Sequence, residues 1–525
     1  MGVSIKFGTY SPPEKNGGRT SKTAHLSIGV FCDGTLNNKT NTESRLGEHG
    51  EIGKKAYEDN ASDDSYTNDF SNIARMWDLY QGDLNGEKDN ELKVYVEGVG
   101  TEDFEGDKTY PDAAMGRGST GIRAKVRKGC EDAFEKIRKA INSVGAKEIS
   151  ILTIDVFGFS RGAAVARNFV HEISKAAYQA KQDKFRYRDS FDEIVPLESK
   201  GQMPAKGHLG YMLQKEGITV NNLKIRFLGL FDTVASYDPE SIKNPNFSND
   251  IAELNLNDIT TALHILHLVA ADEHRKFFAL SPVPKGKEYY VPGVHADVGG
   301  SYVDMAKEGQ HKDGRIQIMD IGNYWGDGYS DKEWDKILNA DLERLTEDGE
   351  GWFEKEKTEK SNSAHETYGT RDPVSNKYSF VTLQIMCEQA NLTTSDELFT
   401  LDQLRTKYSI EEAEAEDGTQ SLLEEVKMRI EELVINKDRG TLSLDTLAAI
   451  ETIRKTVKAS GQYEHILKEV LEDRELLLKL RKRYLHFSSE FTEGANARGY
   501  ANSNQPNFTV KSGILSRERE ILKSK

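Results

Sequence analysis

Up to about residue 303, five short apolar runs recur along the chain: Leu26–Phe31, Val94–Val99, Ile149–Phe157, Leu223–Phe231 and Tyr289–Val294. Each is rich in β-branched or aromatic residues and bounded by polar segments, the pattern of strands covered on both faces. Between the runs, apolar residues fall at helical spacing. Gly121–Val144 carries Ile122, Val126, Ala133, Phe134, Ile137 and Ile141 in register, and Arg161–Ala180 and Ile259–Phe278 also read as helices. Strands alternating with helices predict an α/β chain: a doubly wound, mostly parallel sheet with helices on both faces.

The pattern changes beyond residue 303. Residues 304–376 are polar and read as a loop-rich insertion. Helical spacing returns at Val381–Leu392, Leu422–Val434, Leu444–Val457 and Tyr463–Leu485. In the second of these, Leu422, Leu423, Val426, Ile430, Leu433 and Val434 form one stripe, which serves either packing against neighbouring helices or a membrane-seeking face. The layout is therefore a flexible N-terminal segment over 1–25 and an α/β domain over 26–392. A charged helical insertion over 393–482 follows, as a lid or docking region, and 483–525 returns to the domain. No internal repeat is visible, and the last forty residues read as mostly irregular.

Composition narrows the partners. The 525 residues include 70 Lys and Arg against 86 Asp and Glu, a formal charge of −16. Nucleic acid is thereby disfavoured, because phosphate backbones need a basic face; a local lipid-binding patch is not. Cys32, Cys130 and Cys387 are odd in number and widely spaced, so they offer no disulfide framework or zinc motif and suit a reducing compartment. Residues 1–25 contain Pro12, Pro13, Gly17 and Gly18 but no apolar signal-peptide core. No stretch is long and apolar enough to span a bilayer. The expectation is a protein made in the cytoplasm without a signal peptide, which leaves the cell, if at all, by another machine.

The sharpest chemical signal is Gly158-Phe159-Ser160-Arg161-Gly162. It fits G-x-S-x-G where a strand ends and a helix rich in small residues begins. Such a turn is tight, so Gly158 and Gly162 avoid Cβ clashes while Ser160 is lifted to the sheet edge at a helix N-terminus. A serine nucleophile needs a base and an orienting acid, which in the α/β-hydrolase fold follow in the order Ser, Asp or Glu, His. Asp232 lies just past the strand Leu223–Phe231, where ligands bind in open α/β sheets, although an ordinary turn aspartate would look the same. His295 follows another strand and enters the glycine-rich Val294-His295-Ala296-Asp297-Val298-Gly299-Gly300. Its rivals His264, His267 and His274 fall in the helix expected over Ile259–Phe278. Asp297 is read as shaping that loop.

The first strand runs into Phe31-Cys32-Asp33-Gly34-Thr35-Leu36-Asn37-Asn38. An aspartyl-phosphate phosphatase would need an aspartate where Phe31 stands. In a serine hydrolase the same loop donates one backbone N–H to the oxyanion hole, here Gly34 or Thr35, and the residue after the nucleophile, Arg161, donates the other. Asp33 and Asn37 then shape the loop. The clusters Gly98-Val99-Gly100-Thr101 and Gly116-Arg117-Gly118-Ser119-Thr120-Gly121 lack the Lys-Ser/Thr of a P-loop. The second is read as cleft wall, with an anion at its helix N-terminus as the weaker alternative.

Taken together, these segments resemble one family, the bacterial α/β-hydrolases that include the type VI secretion phospholipase effectors of the first lipase class. The matching pieces are Phe31–Asn38, Gly98–Thr101, Gly158–Ala163, Phe231–Val234, Asp272–Phe277 and His295–Gly300, with Leu383–Met386 and Arg483–Ser488 later. The resemblance covers roughly residues 26–303 well. It implies a Ser160–Asp232–His295 triad that hydrolyses acyl esters of membrane phospholipids without a cofactor. Calcium is possible, with no ligands assignable. It also implies an antibacterial effector carried by a secretion spike or adaptor, acting at the phospholipid membrane in the periplasm of a target cell, and neutralised by a cognate immunity protein. The charged insertion over 393–482 departs from the family pattern. The rival functions are an esterase on a non-phospholipid ester, a non-catalytic secretion-apparatus protein, and the aspartyl-phosphate phosphatase that Phe31 disfavours.

Overall fold

The computed structural model describes residues 23–184, 186–189, 191, 194–195, 200–238, 247, 249–308, 315–320, 329–346, 349–353, 355–361, 364–411, 421–437, 440–442, 447–460, 464–490 and 504–523. Its centre is an eight-stranded sheet: β1 (Thr23–Cys32), β2 (Gly82–Leu84), β3 (Glu87–Asp89), β4 (Lys93–Val96), β5 (Glu148–Phe159), β6 (Thr219–Phe231), β7 (Ala262–Ala270) and β8 (Lys287–Val291). The spatial order β8-β7-β6-β5-β1-β4 is parallel throughout. The hairpin β2–β3 lies antiparallel beside the first half of β1, and β4 takes over the same edge for the second half.

Alternate residues of these strands feed two cores, as strands buried on both faces require. Leu26, Ile28, Val30, Ile154 and Val156 face one layer, built on α2 (Ile122–Val144) and α3 (Arg161–Ser174). Phe31, Phe157, Phe159, Phe227 and Phe231 face the other, which includes α1 (Asn72–Leu79) and α5 (Tyr378–Thr394). This is the doubly wound α/β architecture expected, with helices on both faces and a helical C-terminal region.

Three expectations change. Ile259–Phe278 is not a helix: Ala262–Ala270 is β7, and the remainder is loop. Periodicity cannot separate a continuous apolar strand from a buried helix, and Ala-Leu-His-Ile-Leu-His-Leu-Val-Ala satisfies both. Residues 304–376 are not only loop. Their described part holds a helix (Asp331–Leu345) and an antiparallel sheet of Ile316–Asp320, Ala364–Thr370 and Lys355–Ser361. The last of these strands, Lys-Glu-Lys-Thr-Glu-Lys-Ser, has no apolar alternation to betray it. Thr23–His25, placed with the N-terminal segment by the sequence, begin β1, and residues 1–22 lie outside the described residues. The apolar stripe over Leu422–Val434 is buried in the same core as Phe353 and Leu480, so it serves packing.

Candidate active site

The sharp turn at Ser160 is built from its neighbours. β5 runs to Phe159 and α3 starts at Arg161, leaving Ser160 alone to reverse the chain at φ 58°, ψ −127°. Its N–H donates to the Phe231 carbonyl (3.1 Å), and its own carbonyl accepts the N–H groups of Ala163 and Ala164. The flanking glycines are steric necessities. A Cβ on Gly158 would stand 2.5 Å from the Gly162 carbonyl oxygen, and one on Gly162 would stand 2.2 Å from the Asp33 carbonyl oxygen. Gly162→Ala therefore forces the first loop away from the helix. A loss of about 1–3 kcal/mol in urea unfolding is expected. Gly129→Ala in α2 is the control, since its Cβ would meet nothing closer than 3.4 Å and alanine favours a helix.

Asp232 and His295 meet from two other strand ends. Asp232 follows β6 at φ 43°, with its N–H donating to the Leu268 carbonyl (2.8 Å). Its Oδ1 accepts the Ala270 N–H (3.0 Å), and its Oδ2 lies 2.5 Å from His295 Nδ1. His295 opens α4 (His295–Gly299), where its backbone N–H donates to Glu273 Oε2 (3.2 Å). Its ring lies between Phe159 (centroids 4.7 Å) and Phe278 (5.0 Å). With Nδ1 engaged, Nε2 is the nitrogen left to accept a proton. Ser160, His295, Thr35 and Arg161 line one cavity of about 350 Å³. The Ser160 hydroxyl has no hydrogen bond to another described residue, as suits a nucleophile whose contacts tighten on substrate binding.

Burial works on both partners of the pair. It would raise the Asp232 carboxyl, but Arg519 and His295 outweigh it and hold the group far below the ordinary carboxylate range. Burial also lowers His295 below 6.5, against the opposing pull of Asp232. The imidazole is thus neutral at pH 7 and free to act as a base. A general base must be neutral to act, so with His295 in that role kcat/KM should stay flat down through neutrality and decline only as pH falls below about 6.5. A pH–rate profile with its acidic limb well above pH 7 would count against His295 as the base.

The other sequence-derived positions divide. Asp33 does not line the cavity. It accepts Ser71 Oγ (2.7 Å), Tyr95 Oη (2.6 Å) and the Gly34 N–H (2.6 Å), and burial raises its carboxyl to about 6 despite those bonds. A carboxylate so occupied holds the loop and is not poised as a phosphoryl acceptor. Gly34 is correspondingly a poor oxyanion donor, because its N–H is spent on Asp33. The N–H groups of Thr35 and Arg161 donate to no described protein acceptor. Asn37 shapes the loop, with Nδ2 donating to the Thr35 carbonyl (3.3 Å). Asp297 accepts the N–H groups of Val294 (3.1 Å) and His486 (3.0 Å) and bonds His486 Nδ1 (2.7 Å), tying the histidine loop to the segment that follows the helix Glu464–Arg483.

The rival histidines are structural. His267 sits on β7, where Nε2 accepts the Thr233 N–H (3.0 Å) and Nδ1 meets Glu288 (3.0 Å). His274 bonds Ser489 and the Asp272 carbonyl, and His264 lies on β7 outside the cavity. The Gly116–Gly121 loop does not line the cavity either. It wraps the Asp112 carboxylate, which accepts both the N–H and the hydroxyl of Thr120 at 2.6 Å, so an internal anion fills the place considered for an external one.

Two residues escaped sequence reasoning. Glu273 receives the His295 N–H and is held ionised by Arg275 (2.8 Å), its burial notwithstanding. Its only signal was membership of the Asp272–Phe277 segment. Arg519, almost at the C-terminus, donates to both oxygens of Asp232 (2.6 and 2.8 Å). Nothing local marks it in Arg517-Glu518-Arg519-Glu520. The cavity also holds the Arg161 guanidinium, which donates to Thr35 Oγ1 (2.5 Å) and the Ala113 carbonyl. No described carboxylate lies within ion-pair distance of it, and burial lowers it only to about 10, so it is a cation at neutral pH. Among the described residues, no group of three or more His, Cys, Asp or Glu is placed to hold a metal ion, and no helix is long and apolar enough to cross a membrane.

A family model described as the catalytic domain of the type VI secretion system (T6SS) phospholipase effector Tle1-like group matches residues 27–322. The chain is similar to a solved structure of the Tle1 effector bound to the VgrG spike from the type 6 secretion system, at 16% identity and a TM-score of 0.49, covering 96% of this chain and 94% of that one. It is also similar to an uncharacterized protein from Pseudomonas aeruginosa, at 16% identity and a TM-score of 0.28, covering 88% and 64% respectively. No curated protein matches.

Proposed function

From the premise that the chain belongs to the Tle1-like family of type VI secretion phospholipase effectors, we propose that Ser160, His295 and Asp232 are a catalytic triad cleaving acyl esters of membrane phospholipids, as a phospholipase A does. The observation that carries the reading is the buried Asp232–His295 pair opening onto the same cleft as a serine held at a strained strand-to-helix turn. In this mechanism Ser160 Oγ attacks the ester carbonyl while His295 Nε2 takes its proton. The N–H groups of Arg161 and Thr35 receive the negative oxygen. His295 returns the proton to the leaving alcohol, and the acyl-serine is then hydrolysed by water that His295 activates. Asp232 fixes the imidazole tautomer and balances its transient charge.

The Arg161 guanidinium supports the choice of lipid. A buried cation bonded, among the described residues, only to neutral acceptors suits a phosphodiester near the scissile ester. Delivery by a secretion spike or adaptor, action at the membrane of a rival cell from its periplasm, and neutralisation by an immunity protein belong to the same proposal, motivated by the family's place in type VI secretion.

The test is fatty-acid release from mixed phospholipid vesicles labelled at one acyl position, by the wild type and Ser160→Ala, with calcium or with a chelator. Release by the wild type alone supports the reading and identifies the bond cut. Hydrolysis of short neutral esters without release from vesicles would replace phospholipid by another ester. Cell killing that survives Ser160→Ala would point to a non-catalytic role.

A further inference from the structure

The family match ends at residue 322, yet the carboxylate at the base of the site is gripped by a residue almost two hundred positions further on. Both oxygens of Asp232 are saturated. Oδ1 accepts Ala270 N–H and Arg519 Nη1, and Oδ2 accepts Arg519 Nη2 and pairs with His295 Nδ1. The Arg519 fork is bidentate, a geometry that fixes the plane of a carboxylate as well as its position. Since Asp232 orients His295, that plane sets where Nε2 points.

Arg519 is itself held on a C-terminal arm. The hairpin of β9 (Phe508–Lys511) and β10 (Ile514–Arg517) precedes it, and the chain on both sides of that hairpin lies along the segment that follows β7. Lys276 N–H donates to the Gln505 carbonyl, Asn507 N–H to the His274 carbonyl, Leu280 N–H to the Glu520 carbonyl and Leu522 N–H to the Leu280 carbonyl. Arg519 Nε donates to the Phe278 carbonyl (2.8 Å), the residue whose ring abuts His295. Arg517, two residues earlier, makes a separate bidentate pair with Asp341 (2.7 and 2.8 Å).

We infer that Arg519 is a positioning residue for catalysis: the C-terminal arm completes the active site by clamping Asp232, so the region matched by the family model is not catalytically sufficient. This rests on the triad reading above. The clamp orients the carboxylate, and its charge also offsets the negative field that Asp232 projects onto His295. Without Arg519, the field of Asp232, joined by Glu273 and opposed by burial and Arg275, acts more strongly on His295 and imidazolium is more favoured. The base then titrates at a higher pH, and the acidic limb of the rate profile moves upward.

The experiment follows the labelling of Ser160 by a fluorophosphonate and the hydrolysis of a short chromogenic ester, so that no lipid substrate is assumed. Full-length Arg519→Gln is expected to label and turn over about 100-fold more slowly, the scale of a misplaced catalytic group, with KM nearly unchanged. Its acidic limb should sit at higher pH than the wild type's. In Arg519→Gly, added guanidinium should restore part of the rate. Arg517→Gln loosens the same arm without touching Asp232 and should stay within threefold of the wild type. A folded Arg519→Gln within threefold of the wild type, with an unmoved limb, overturns the inference. So does an equal loss in Arg517→Gln, which would reduce Arg519 to arm docking. If Arg519→Gln does not fold, the guanidinium response of Arg519→Gly decides, no rescue counting against the clamp. A wild type whose Ser160 does not label overturns the triad reading and this inference with it, whereas labelling without phospholipid cleavage leaves the clamp standing and removes only the lipid.

Discussion

Ser160→Ala is expected to lower kcat for ester hydrolysis by roughly 10⁴- to 10⁶-fold, the range seen when a triad nucleophile is removed and only binding and the oxyanion hole remain. The loss should come without unfolding. The Ser160 hydroxyl donates to no described group, and the turn is held by the backbone of Phe231, Ala163 and Ala164. A companion variant sharpens the argument. Ser160 occupies φ 58°, ψ −127°, a region natural to glycine and costly, by about 1–3 kcal/mol, for a residue with a Cβ. Ser160→Gly should therefore be as inactive as Ser160→Ala yet more stable than the wild type in urea. Such a result would mean that stability is given up at this position for chemistry. Full activity in Ser160→Ala, or Ser160→Gly no more stable than Ser160→Ala, would show that the strained turn is not built around a nucleophile.

What could be read from the chain follows a physical divide. Local rules sufficed where one element carries its own signal. The strand ending in Phe157-Gly158-Phe159, the two glycines and the small-residue helix all report one tight turn, and the structure shows why, since a Cβ at either glycine would meet backbone. The strand ends at Asp232 and His295 were legible for the same reason. β7 was not, because an apolar run with histidines at positions three and six satisfies two periodicities, and only the parallel neighbours β6 and β8 decide between them. The strand Lys355–Ser361 carries no apolar pattern at all. The choice between Gly34 and Thr35 could not be made locally, because it turns on where the Asp33 carboxylate spends its acceptor capacity. Arg519 is the limiting case. It lies 287 positions from Asp232 in a charged run that resembles any solvated surface, so its role exists only in the folded chain.

Asp232→Asn is the second large effect, and it should appear in two independent measurements. In turnover, kcat should fall by about 10⁴-fold, because the amide can present its NH₂ to His295 Nδ1 and stabilise the tautomer that carries its proton on Nε2, the wrong nitrogen for a base. In stability, removing the carboxylate leaves the Arg519 guanidinium buried and facing a neutral partner. Breaking a buried pair from one side costs about 3–5 kcal/mol, and Asp232→Ala should reach the upper part of that range, since the Ala270 N–H loses its acceptor as well. The pH dependence separates this contribution from ordinary packing. The folded-state carboxyl lies far below its unfolded value near 3.9. Its stabilising contribution is therefore complete above about pH 4 and is lost as pH falls through the folded value in strong acid. The stability difference between wild type and Asp232→Asn should accordingly be constant from neutrality to about pH 5 and shrink only toward strong acid. A difference that widened as pH fell below 6.5 would belong to His295, whose protonated form Asp232 supports in the folded state. A variant as stable as the wild type throughout would mean that Arg519 finds another anion, and that the C-terminal arm does not depend on the triad to stay in place.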